Sequence, residues 1–320
     1  MKHDTHRRHS LRLLAGFGAG HWLVGPVAHA AVKGAGAGAG APRELRIITN
    51  PEAASGRQIL QVLKHRYPAL VADADPLAFD ARKNPAMTVS IGPVALRRTL
   101  EAGLKSPLVS VLTSSQAYRQ LVAQDVGRDR STVTAIYAEA SPLAQLQLIA
   151  AIFESRITVA VLLSDASAYL ERPLRQAAAS VGLELLVERL APSDDVARAL
   201  TRLRGAQVLL AVPDSTLYTP DTLRVLLEST YRRGVPVVGF SSATVVAGTL
   251  ATAYCAVDDV VADLVELIEG AGVPGSGPMP EPRFPQYWRV IVNESVARSL
   301  GVPMSDRVRQ LGNQPPGRAR

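Results

Sequence analysis

Within residues 157–163 every position after Thr158 is apolar, so an extended chain there would be apolar on both faces. A strand of that kind needs cover on both sides, which is the condition of strands in parallel α/β sheets. The surrounding pattern agrees. Strand-like runs at 45–49, 87–91, 108–112, 133–137, 157–163, 183–188, 207–212 and 235–240 alternate with helical periodicities at 55–67, 94–104, 116–123, 143–153, 170–181, 194–203 and 220–231. The last of these helices has a clear start, because Thr219 is a capping residue type and Pro220 fits the first turn. Two βα arrays in series, broken near residue 138 without a Gly/Pro-rich linker, predict two doubly wound lobes with closely spaced hinges. Crossover handedness sends the loops that follow the strands to one edge of each sheet, so the two edges face a cleft.

The chain begins as an exported protein would. Lys2, Arg7, Arg8 and Arg12 precede an apolar stretch from 13 to 27, and Ala28-His29-Ala30 is an Ala-x-Ala cleavage site. Glycines 16, 18 and 20 and His21 interrupt the stretch too often for a membrane span. Arg7-Arg8 before Ser10-Leu11 leaves the general and twin-arginine routes both open. Residues 1–30 are therefore expected to be a signal peptide and 31–42 a Gly/Ala tether, with the rest of the protein in the periplasm. The 306–320 segment is expected to be a basic disordered tail.

Losing residues 1–30 removes five of the six histidines and leaves His65, mid-helix between Lys64 and Arg66, a surface position by type. Cys255 is the single cysteine. An intrachain disulfide is impossible, and a Cys/His zinc site has no ligands. Ser-His-Asp or Cys-His chemistry would have to rest on His65. No metal, cofactor or catalytic residue is expected. The formal charge of +7 falls to +4 once the four Lys/Arg and one Asp of residues 1–30 are gone. With few aromatics to stack bases, nucleic acid is not an expected partner.

Ligands of open α/β sheets sit beyond the carboxyl ends of the strands. The expected tips carry Asn50; Ser90; Thr113, Ser114 and Ser115; Tyr137; Ser164 and Asp165; Asp214 and Ser215; and Ser241. These are the candidate ligand-binding residues. Hydroxyls and helix N-terminal amides would hold a carboxylate or another polar group. Each Ser or Thr is equally suited to capping the helix that follows. Asp214 is either a cap or an acceptor for a ligand amine, and Tyr169 and Tyr218 could wall a cleft. Ser90-Ile91-Gly92-Pro93 is not a phosphate loop, since no Gly-x-x-x-x-Gly-Lys and no Gly-x-Gly-x-x-Gly follows a strand.

Four segments carry a resemblance: Ile136-Tyr137-Ala138-Glu139-Ala140-Ser141-Pro142; Leu210-Ala211-Val212-Pro213-Asp214-Ser215; the strand, tip, short helix and amphipathic helix of 234–270; and Val290-Ile291-Val292-Asn293-Glu294-Ser295 with its helix to Gly301. The succession resembles the TrpX-like group of type I periplasmic binding proteins, the substrate-binding components of ABC transporters, over about 45–305. The resemblance implies an architecture of two Rossmann-like lobes with parallel sheets and three hinge crossings. Lobe one would be 45–137 plus 249–285, and lobe two 138–248 plus 286–305. It implies a monomer that closes on a small polar organic ligand, amino-acid-like or an organic anion, and hands it to an ABC permease of the inner membrane. Two other roles are compatible with the same fold: a binding component for a sensor or outer-membrane receptor, and an enzyme.

Overall fold

The computed structural model describes residues 45–50, 52–73, 87–192, 194–270 and 278–316; the expected signal peptide and tether lie outside them. In the first lobe five parallel strands stand in the order β2-β1-β3-β4-β5. They are β1 (Leu45–Thr49), β2 (Val71–Asp73), β3 (Met87–Ile91), β4 (Leu108–Thr113) and β5 (Val133–Tyr137). The second lobe has seven strands in the order β12-β11-β10-β9-β8-β6-β7. These are β6 (Thr158–Leu163), β7 (Glu184–Arg189), β8 (Val208–Leu210), β9 (Val237–Val238), β10 (Ala251–Tyr254), β11 (Trp288–Val292) and β12 (Gly312–Asn313). Among the described strands β11 alone is reversed: it runs antiparallel to both β10 and β12. The helices are α1 (Ala54–Arg66), α2 (Pro93–Glu101), α3 (Ser115–Gln124), α4 (Pro142–Phe153), α5 (Glu171–Ser180), α6 (Val196–Arg202), α7 (Pro220–Arg232), α8 (Ser242–Val246), α9 (Val257–Gly270), α10 (Glu294–Ser299) and α11 (Asp306–Arg309). None is long and apolar enough to cross a membrane.

Burial explains the two layers of cover. Ile59 and Leu63 of α1 and Val260 and Leu264 of α9 pack on one face of the first sheet, against Ile47 and Val89. Leu96 and Leu100 of α2 and Tyr118 and Leu121 of α3 pack with Leu108 and Ala135 in a separate cluster. In the second lobe β6 is buried from Val159 to Leu163 and packs with Leu146 and Ile149 of α4 and Leu174 of α5. The strand order reverses between β1 and β3 in one sheet and between β6 and β8 in the other. Such reversals are where adjacent connections diverge to opposite faces and open a crevice.

The chain passes between lobes after β5, after β10 and after α9, so there are three crossings. The second lies later than expected. The resemblance placed residues 249–285 in lobe one, but β10 pairs with β9 and β11 in the second sheet, and only α9 returns to cover the first. The expected tail is also corrected as far as residue 316. Val308 on α11 is 1 % exposed and joins the second-lobe core, and β12 pairs with β11. β2, a three-residue edge strand, had not been expected.

The crossings are fastened to one another. Tyr137 N–H donates to the Arg283 carbonyl at 3.0 Å, Arg283 N–H donates to Ala135 at 2.9 Å, and Glu139 bridges Tyr254. On α9, Asp259 and Asp263 are both fully buried. Asp259 receives both Nε and Nη2 of Arg289, on β11, at 2.6 Å each. Asp263 receives the Arg283 guanidinium and the Gln286 N–H. A helix of one lobe is thus ion-paired to a strand of the other. Removing one partner of a buried pair strands the other charge. Arg289→Ala, which leaves the Asp259 carboxylate buried and unpaired, is expected to lower the unfolding free energy by about 3 kcal/mol in urea titration, whereas Glu294→Ala, which breaks an exposed pair with Arg309, should change it far less. Equal small losses would show that the buried pair does not fasten the lobes.

Candidate functional site

The site grows from the tip of β4. Leu112 has a left-handed backbone, φ 53°, and the register with β5 shifts between Val111 and Thr113. A non-glycine residue adopts φ > 0 only where its surroundings hold it there. Thr113 is turned into the core, where its hydroxyl accepts from Ser110 at 3.0 Å. Ser114 then caps α3, accepting from Ala117 N–H at 3.2 Å. Ser115, fully buried, points its N–H (3.0 Å) and its hydroxyl at the Glu139 carboxylate, on the first crossing. The same hydroxyl lies 2.6 Å from that of Tyr169, which belongs to the second lobe. Burial pushes the Glu139 carboxyl well up from its ordinary value, and the bonds from Ser115 oppose this without cancelling it. Burial likewise raises the nearby Cys255 thiol, with Asp259, Glu139 and Asp263 adding to the effect. A thiol held neutral in this way is not a nucleophile.

The opposing edge is built on Asp214, beyond β8, at the reversal point of the second sheet. It is 2 % exposed. One carboxylate oxygen accepts from the hydroxyls of Ser164 (2.6 Å) and Ser167 (2.5 Å), the other from the N–H and hydroxyl of Thr216 at 2.9 and 2.6 Å. Burial pushes its pKa up, but the bonds from Ser164, Ser167 and Thr216 outweigh it and hold the carboxyl below the usual range. Asp214 ties the tips of β6 and β8 together and enters the cleft with little acceptor capacity to spare.

The two edges meet around a hollow of about 310 Å³. Ser114 and Gln116 line it from the first lobe, and Ala138 and Glu139 form its floor at the crossing. The second lobe contributes Pro213, Asp214, Ser215, Tyr218, Phe240 and Ser241. The rings of Tyr218 and Phe240 lie 5.9 Å apart. Gly239 lets the β9 tip approach α8, since a Cβ there would lie 2.0 Å from the Thr244 hydroxyl. Across the hollow Ser215 N–H donates to Gln116 Oε1 at 3.0 Å, with Gln116 Nε2 a long 3.5 Å from Asp214. The Arg119 guanidinium stands 4.5 Å over the Tyr169 ring. Among the described residues no group of acidic, His or Cys side chains could hold a metal ion, and His65 is exposed on α1.

Of the eleven residues expected at the site, Ser114, Asp214, Ser215 and Ser241 line this hollow. Ser114 and Ser241 are also the caps of α3 and α8. Ser115 sits one layer behind, on Glu139. Ser164 and Asp165 border a separate hollow of about 620 Å³ within the second lobe, between the loops after β6 and β7 and the start of α7. Thr113 and Ser90 are inside the first sheet. Tyr137 is a core residue, edge-on to Phe284 at 5.1 Å and to Tyr118 at 5.7 Å. Asn50 is exposed and closes its own turn by accepting from Glu52 N–H. Sequence reasoning missed Gln116, Glu139 and Phe240. The one signal for Glu139 was a carboxylate in the apolar run Ile136-Tyr137-Ala138-Glu139-Ala140.

Neither a protein-family model nor a curated protein matches the chain. Solved structures do. A substrate-binding protein with adhesive properties from Clostridium difficile, in its ligand-free open form, aligns at a TM-score of 0.60 with 15% identity, over 84% of this chain and 98% of that one. An ABC domain in complex with L-Trp from Streptococcus pneumonia aligns at 0.53 with 15% identity, over 83% and 97%. A conserved domain protein from Vibrio cholerae O1 aligns at 0.53 with 21% identity, again over 83% and 97%. The fold is that of type I periplasmic binding proteins.

The Asp214 network gives a pH dependence with a definite sign. Its folded pKa lies below the ordinary carboxylate value, so its stabilisation is full above about pH 4 and is lost as the pH falls through the folded value. Asp214→Asn is expected to cost about 2 kcal/mol at pH 7, because donors lose their acceptor in a buried place. The difference from the parent should shrink as denaturation is followed from pH 5 towards pH 2. A constant difference would show that the carboxylate's charge does not matter.

Proposed function

We propose that the protein is an exported solute-binding protein: its lobes close on a small polar organic ligand in the periplasm and present it to an ABC permease of the inner membrane. One observation carries this reading. The hollow between the lobes is lined from both strand-end edges and floored by a crossing, so any molecule held there touches both lobes at once. Such a molecule shifts the open–closed equilibrium by its differential contacts. The size of the hollow, about 310 Å³, is at the small end of ligand pockets. The fold supports the reading, and the relative from Streptococcus pneumonia holds an amino acid. Binding needs no chemistry. The site offers hydrogen-bonding groups and an aromatic wall, and its one nearby thiol is held neutral. The protein acts as a monomer in this scheme.

A thermal-shift screen of the full chain against small metabolites tests the reading. A ligand at a hundred times its Kd adds about 2.7 kcal/mol to stability. Small-angle scattering should then show a narrower particle distribution with the ligand. A broad screen without a single binder would remove solute binding as the function.

A further inference from the structure

The charge of the interlobe hollow is one-sided. Its lining includes two carboxylates, Glu139 and Asp214, and no Lys, Arg or His. The two acids differ in what they still lack. Asp214 is surrounded by donors from its own lobe. Glu139, 5 % exposed, takes bonds from the Ser115 N–H and hydroxyl and from its own main-chain N–H, and among the described residues no cation pairs with it. A second buried group in the lining is also short of a partner. Tyr218 is 8 % exposed, and its hydroxyl has no hydrogen-bond partner among the described residues. Burial, and after it the Asp214 charge, hold that hydroxyl in its neutral form; the Val212 main chain opposes this from outside hydrogen-bond geometry. Buried polar groups left in this way are costly unless something bound pairs with them.

We propose that the ligand presents a protonated amine to Glu139 and a hydrogen-bonding group to the Tyr218 hydroxyl, and that simple organic anions are rejected. This rests on the solute-binding reading above and narrows its ligand class. A free carboxylate entering the hollow meets two acids and no lining cation. An ammonium supplies the missing counter-charge in a place with little water, where such pairing is strongest. The apolar body of the ligand lies against Phe240, Pro213 and Ala138. The groups facing Glu139 do not offer a counter-charge. They are the Ser115 and Tyr169 hydroxyls, Tyr137 and Cys255, and the pKa values of the last three are pushed up, chiefly by burial. Arg119 is over the Tyr169 ring, outside the lining. Burial holds Glu139 towards its neutral form. Docking of the ammonium shifts it towards the ionised form, and the proton it gives up goes to solvent.

Calorimetry on the full chain with 2-phenylethylamine, phenylacetate and 2-phenylethanol tests this, alongside the binders from the metabolite screen sorted by charge. The amine is expected to bind at least tenfold more tightly than the acid or the alcohol. Its heat should vary with the ionisation heat of the buffer, reporting proton release. Glu139→Gln should weaken it at least tenfold and abolish the release, and Tyr218→Phe should weaken it several-fold, both with unchanged far-ultraviolet circular dichroism. If the phenyl series is silent, an amine from the screen that loses affinity in Glu139→Gln supports the proposal equally. Preference for the acid or the alcohol, screen binders without an amine, or full affinity in Glu139→Gln overturns it while leaving solute binding in place. A silent screen together with a silent series overturns both.

Discussion

A parallel sheet covered on both faces leaves polar chemistry little room except beyond its strand ends. That restriction organises this protein twice, once in each lobe. β1, β3 and β5 are buried at every residue, so the groups able to meet solvent or ligand from these strands are in the loops that follow them. Because crossovers have one hand, those loops share an edge. The chain then uses α9 to cover the first sheet although the strand before it, β10, pairs in the second. The helix cannot leave the lobe it covers, and the strand cannot leave the sheet it extends. The crossing between them is therefore held, and the buried Asp259 and Asp263 carboxylates, paired with the partly exposed Arg289 and Arg283, sit beside it.

Much of this order was legible because burial leaves a period in the residues. The strands at 87–91 and 133–137 were read with the bounds they have, since Met87, Val89 and Ile91, and Val133, Ala135, Ile136 and Tyr137, make short apolar runs broken only by small hydroxyl residues. β2 was missed because Val71-Ala72-Asp73 is an edge strand with an exposed valine, and its pairing with β1 is invisible to local pattern. The second crossing was misplaced for a related reason. Ala251-Thr252-Ala253-Tyr254 is equally suitable for either sheet, and its antiparallel partner β11 lies more than thirty residues away. At the chain's end a basic composition suggested disorder, yet Val308 and Leu311 are enough to hold the segment against the second-lobe core.

The site was less legible than the fold, and the hydroxyls show why. A serine at a strand end satisfies the helix that follows whether or not a ligand is present. Ser114 and Ser241 do so here while also lining the hollow. Asp214 was read as a choice between cap and ligand contact. In the structure its carboxylate joins two strand tips, through serines fifty and forty-seven residues earlier. Glu139 stood out least in the sequence, because its character comes from Ser115, twenty-four residues earlier, and from burial at a crossing that only the folded chain creates.

These contacts also bound how firmly the lobes hold each other. Among the described residues direct links between the two edges are few: the Ser115–Tyr169 hydroxyl pair, Ser215 N–H to Gln116, the long contact of Gln116 Nε2 with Asp214, and Arg119 over Tyr169. Intramolecular hydrogen bonds contribute about 0.5–1.5 kcal/mol each after exchange with water, and a cation–π contact at a partly exposed place about 0.5–1 kcal/mol. Their sum is a few kcal/mol, comparable to the gap over which minor conformers remain populated. The crossings, by contrast, are fixed by buried ion pairs and main-chain bridges. Under the proposed function, a shallow latch on a firmly built hinge is the arrangement in which a small ligand, through a handful of contacts to both edges, would outweigh the latch and decide which state the protein occupies.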